Sequence, residues 1–301
     1  MDPASAPMDS KSPFAVTSTK ERMNGGHRGM SRLFKIRAVH SLPVRIFRML
    51  SPMPLIGLAT FAHATETCIE HPYHSAATED ENGLLAIYQS IAPALGHFPS
   101  LSEALAKAAP DLCFSSQMND AHAYLDFDGN RIVISEGLSK DMQSAVFLHE
   151  LRHLEQFVRG SCPSDDLAME AYARATFAME ADASAISLLV AWDMKENGHG
   201  SVWAALSSWP SQSDIAASFA NEMADTGDVA LAATTAFYQW YASSARREQY
   251  FFAACSGYLD RQDATHILPL YQLIPDTFLE NLCILPDGSI YECSHPEFEL
   301  R

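Results

Sequence analysis

The sequence predicts an α+β fold that is mostly α, with a small β-sheet or hairpin placed just before one histidine-bearing helix. Three observations carry this. Ala-rich amphipathic runs dominate residues 140–260. A single stretch, "AYLDFDGNRIVIS" (123–135), alternates about a turn. A second turn, "LPDG", lies between two cysteines near the end of the chain. With 301 residues, 48% hydrophobic and 19% charged, the chain is long enough to bury a sizeable core and too apolar to be wholly disordered.

The first 29 residues are rich in breakers and poor in apolar periodicity, and read as disordered. Residues 30–64 add a basic stretch (Arg32, Lys35, Arg37, Arg45, Arg48), a short apolar run broken by Pro52 and Pro54, and Ala62-His63-Ala64. These are the parts of a secretory signal peptide, and the run is too short for a membrane span. The expectation is a basic leader over 1–64, one domain over 65–301, export to the periplasm or outside the cell, and no stable membrane insertion after cleavage. All six cysteines follow Ala64, as expected for an oxidising compartment. Cys283 and Cys293 bracket Asp287-Gly288, a hairpin turn that could bring them together.

Charge narrows the partners. Residues 1–64 hold 9 Lys+Arg against 3 Asp+Glu, and the remainder holds 11 against 34. So acidic a body repels nucleic-acid phosphates and anionic membranes, so no nucleic-acid partner is expected.

In chain order, "GLLAIYQSIAPALGHF" and "LSEALAKAAPDL" read as two short helices, the second capped by Ser100 or Ser102. The hairpin at 123–135 turns at Asp128-Gly129-Asn130. Ser139 caps a helix from Lys140 to Phe157, ended by Gly160 and Pro163. Asp165 or Asp166 opens a long Ala-rich helix reaching Asn197. "VWAALSSW", "DIAASFANEMA" and the stretch from Val229 to Leu259 are helical by composition.

The 140–157 helix holds His149-Glu150-Leu151-Arg152-His153, an H-E-x-x-H pattern. Residues i and i+4 of a helix differ by about 40° and about 6 Å of rise, so both imidazoles project from one face and can share one ion. Zn²⁺ suits them best. Glu150, rotated by about 100° from His149, can reach a water beside the ion and serve as general base. A third protein ligand is needed for an open catalytic site. Glu180, 27 residues after His153 on a helix face of small residues, is the candidate, with Glu170 a weaker one. Arg152 is read as an ion-pair partner of Glu155 or Asp182, in preference to a role at a developing oxyanion. Tyr172, Tyr238, Tyr241 and Tyr250 are candidate oxyanion donors.

This combination, a strand pair, an H-E-x-x-H helix and a glutamate in "EADASAISLL", resembles the gluzincin branch of zinc metallopeptidases, and in detail uncharacterised bacterial ones. The likeness covers about 120–195. It implies a zincin-like domain, zinc held by His149, His153 and Glu180, Glu150 as general base, and a peptide or protein substrate; either Tyr124–Asp128 or Arg131–Ser135 is the edge that pairs with it, the alternative being a sheet that only packs. One position departs: where several gluzincins place an aspartate four residues after the third ligand, this chain has Ser184, and Asp182 sits only two residues on. A non-proteolytic protein keeping the zinc helix for structure or partner binding is the alternative function.

Overall fold

The computed structural model describes residues 66–118, 121–266, 268 and 270–297. The leader and signal-peptide expectations over 1–64 lie outside them. The fold is mostly α with a small mixed sheet, as the α+β reading expects.

The first helix, α1 (Glu79–Leu95), starts at Thr78 with a capping box closed by Glu81. The second, α2 (Pro99–Ala108), differs from expectation in two ways. It has no serine cap: Pro99 fills its first position, where a missing N–H costs nothing. It also ends earlier, because Ala109 turns left-handed and Pro110 follows. Residues 111–112, read as the end of that helix, instead open a strand.

Four strands form the sheet: β1 (Thr67–Ile69), β2 (Asp111–Ser115), β3 (Ala123–Asp126) and β4 (Arg131–Ser135), in the order β1-β2-β4-β3. Only β2 and β4 run parallel, with Cys113 opposite Val133. The expected hairpin is β3–β4, in which Leu125 faces Ile132. Of the two strands expected to offer an edge, β3 is outermost and β4 is internal. A disulfide joins Cys68 of β1 to Cys113 of β2 at directly paired positions.

The histidine-bearing helix α3 (Lys140–Val158) is capped by Ser139, whose hydroxyl accepts from Met142 N–H. Gly160, at φ +72°, ends the turn that follows. Helix α4 (Met169–Glu196) begins a few residues later than Asp165 or Asp166 suggested, and nearly all of it is buried. It is long and apolar enough to cross a membrane, but 94% of its most apolar stretch is packed inside the protein, as in the central helix of a helical core. Contacts between α3 and α4 step in opposite senses, Arg152 to Asp182 and Gln156 to Met179, so the two run antiparallel.

The rest encloses α4: α5 (Ser201–Ser208), α6 (Ser213–Thr226), α7 (Val229–Trp240), α8 (Ser244–Thr265) and α9 (Thr277–Leu282). The run from Val229 to Leu259 is two helices, because Ser243 recaps the chain for α8. Beyond α9, the tail folds back at Gly288 (φ +91°), pairs Ile284 with Ile290, and is closed by the Cys283–Cys293 disulfide that the turn suggested. Cys162 and Cys255 are free thiols.

Candidate metal centre

Helix periodicity puts His149 and His153 one above the other on the face of α3 that meets α4, and Glu180 projects from α4 toward both. The candidate ligand atoms converge. His149 Nε2 is 3.1 Å from His153 Nε2, Glu180 Oε2 is 3.3 Å from His149 Nε2, and Glu180 Oε1 is 3.4 Å from His153 Nε2. The imidazole planes lie at 83° to each other. All three residues are buried, and neither Glu180 oxygen has a conventional hydrogen-bond donor. Among the described residues this is the one group of three or more His, Cys, Asp and Glu side chains placed to hold an ion.

The spacing fits a metal. A tetrahedron with metal–ligand bonds of about 2.0–2.1 Å has edges of about 3.3–3.4 Å. The ion-pair distances between Glu180 and the two histidines are thus those of groups aimed at one common point, longer than a charge-assisted hydrogen bond would be.

Electrostatics agree with that geometry. Burial raises carboxylic pKa values, yet Glu180 is held down at about 2, because His153 and His149 favour its charged form. Burial would lower His153, but the Glu180 carboxylate overrides it and pushes the imidazole up to about 9. His149 is lowered, chiefly by burial, with the neighbouring His153 adding to it. Glu150, fully buried, is pushed up to about 8 by burial, with Glu180 adding repulsion. Neither buried Glu150 oxygen has a donor at full hydrogen-bond geometry, and the nearby Leu125 N–H of edge strand β3 draws its pKa only partly the other way. An unsatisfied buried carboxylate beside an ion-binding cluster is costly unless a ligand or water completes it.

The remaining candidates separate. Glu170 pairs with Arg174 at the surface, with its side chain 64% exposed, and does not join the group. Arg152 takes both partners foreseen for it. It is fully buried, donates to Asp182 at 2.7 and 2.8 Å, pairs with Glu155, and caps the carbonyls of Leu282 and Ile284. Of the four tyrosines, Tyr250 on α8 is the one whose phenol is pushed well above its usual range by burial together with the charges of Glu180 and Glu150. Tyr238 instead bonds Ser294, and Tyr172 packs against Tyr258.

Two features escaped sequence reasoning. Gln156, three residues after His153, binds His153 Nδ1 at 2.7 Å. Tyr291, in the tail, donates to Asp182 at 2.6 Å. Gln156 was visible in principle, since i and i+3 share a helix face. Tyr291 lies 109 residues from its partner, and nothing in the sequence links the two.

No curated protein and no solved structure matches the chain. A family model does, over residues 62–293, a span that takes in the sheet, both central helices and the disulfide-closed tail. The chain therefore belongs to the family described as "Putative metallopeptidase family (DUF6782)".

Proposed function

We propose that this protein is a gluzincin-type zinc peptidase in which His149, His153 and Glu180 hold the metal and Glu150 is the general base. The single observation that carries the reading is the convergence of two buried imidazole nitrogens, 3.1 Å apart, with the two oxygens of one buried carboxylate at 3.3 and 3.4 Å from them, one residue from a second buried carboxylate. Two imidazoles and one carboxylate match the borderline character of zinc and leave its fourth position open.

Zinc, when bound, supplies the Lewis acidity that polarises a scissile carbonyl and makes water a nucleophile near neutral pH. The chain's own groups do the rest. Glu150 accepts the proton of the attacking water and delivers it to the amine nitrogen as the C–N bond breaks. Its raised pKa suits both directions of transfer. Tyr250 donates its hydroxyl to the carbonyl oxygen as negative charge builds there. The extended substrate adds to the free edge of β3, where main-chain hydrogen bonds demand little sequence.

The division into a leader over 1–64 and a zincin-like domain over 65–301, with export to an oxidising compartment, belongs to the same reading. The disulfides Cys68–Cys113 and Cys283–Cys293 support it.

The test is hydrolysis of a library of unstructured peptides by the zinc-loaded protein beside Glu150→Gln. The expected result is cleavage by the wild type and a loss of about 10²–10⁴-fold in kcat/KM in a variant that still binds zinc. Equal cleavage by both would remove Glu150 from the role. Zinc bound with no cleavage of any peptide would select the non-proteolytic metal-binding alternative.

A further inference from the structure

A zinc histidine needs its second ring nitrogen held, and a carboxylate usually does this directly. Here Ser184 stands where a sequence comparison would look for that carboxylate, and the nearest acid, Asp182, points elsewhere. Its oxygens are taken by Arg152, Tyr291 and Gln156.

The contacts of Gln156 join these two facts. Its Nε2 donates to Met179 O at 3.1 Å and to Asp182 Oδ2 at 2.6 Å. Both partners are acceptors only, so the amide orientation is determined, and Oε1 must be the atom 2.7 Å from His153 Nδ1. An amide oxygen there can only accept. His153 therefore carries a proton on Nδ1, and in its neutral, metal-binding form the Nε2 lone pair faces Glu180 and His149.

We propose that Gln156 and Asp182 are positioning residues for the metal site, forming an amide relay from His153 to a carboxylate that Arg152 and the tail residue Tyr291 lock in place. The inference rests on the zinc-site reading above and deepens it. It makes the disulfide-closed tail a working part of the centre: Tyr291 grips Asp182, and the carbonyls of Leu282 and Ile284 grip Arg152. Gln156 is 2% exposed and Asp182 is fully buried, so solvent cannot substitute for either bond.

The test measures zinc affinity by chelator competition, together with the visible spectrum of the cobalt-substituted protein, for the full chain carrying Gln156→Leu or Tyr291→Phe. Gln156→Leu is expected to weaken zinc binding by about 10–100-fold and to alter the cobalt band. Tyr291→Phe touches no metal ligand and keeps the ring, and is expected to weaken binding by about two- to tenfold through the relay. If Gln156→Leu does not fold, Tyr291→Phe decides the matter. Wild-type affinity and an unchanged cobalt band in the folded variants would overturn the relay alone. A wild type that binds no zinc, or binds it unaffected by His153→Ala, would overturn the metal-site reading and the relay with it.

Discussion

Replacing Arg152 with methionine is the most demanding test of what holds the two central helices together. The arginine is fully buried, and Asp182 and Glu155 beside it are equally so. It makes two bonds to Asp182 and one to each of two tail carbonyls. Methionine fills similar volume but leaves both carboxylates without their main counter-charge. Breaking one side of a buried pair costs about 3–5 kcal/mol. Asp182 keeps Gln156 and Tyr291 as donors, and Glu155 keeps Arg159 at 3.3 Å, so the lower part of that range is the better expectation. For a domain of this size about 3 kcal/mol corresponds to a fall of about 6–12 °C in Tm. The assay is thermal unfolding followed by circular dichroism, with disulfides intact and metal chelated so that zinc linkage does not enter. Adding Asp182→Asn to Arg152→Met removes one stranded charge and should return part of the loss. A fall of less than about 2 °C in the single variant would refute the argument that this network anchors the tail to the core.

Other outcomes follow from the same structure. His153 binds metal only when neutral, and its pKa is pushed up to about 9, so zinc displaces its proton at lower pH. Zinc affinity should therefore rise by up to about tenfold per pH unit from about pH 7 to about pH 9, with a binding enthalpy that varies with the buffer's ionisation heat; affinity flat over that range would contradict the assignment. Tyr250→Phe should lower kcat by about 10²–10³-fold with little change in zinc content, and an unchanged kcat would remove it as the oxyanion donor. Gly129→Ala puts a Cβ 2.6 Å from Asp126 Oδ2 and 2.8 Å from Arg131 Nε, which should destabilise the β3–β4 turn by about 1–3 kcal/mol in chemical denaturation. Removing the Cys68–Cys113 bridge by a double Ala substitution should cost about 2–5 kcal/mol, and no change in the denaturation midpoint would show that it adds nothing.

The parts of this fold legible in the sequence are those set by local rules. The capped helix at Ser139, the β3–β4 turn and the joint face of His149 and His153 depend on residues within a few positions of one another. Glu180 could be singled out because two helices joined by a short break return on each other, which restricts which residues can face both histidines. What stayed hidden was set by distant contacts. Strand β2 contains Asp111 and Leu112, which read as the end of a helix until the left-handed Ala109 and β-sheet partners on both sides decide otherwise. The pairing of Cys68 with Cys113 depends on that same strand register. The support of His153 passes through Gln156 to an aspartate whose other partners lie in the tail, and a local pattern cannot show a network closed over more than a hundred residues.

The central claim is that His149, His153 and Glu180 form one metal site. Metal content of the purified protein, measured by mass spectrometry beside His153→Ala and Glu180→Ala, tests it most directly. The account predicts about one zinc per chain in the wild type and its loss in both variants. Zinc retained by Glu180→Ala would move the third ligand elsewhere, and a wild type that takes up no zinc on reconstitution would contradict the account.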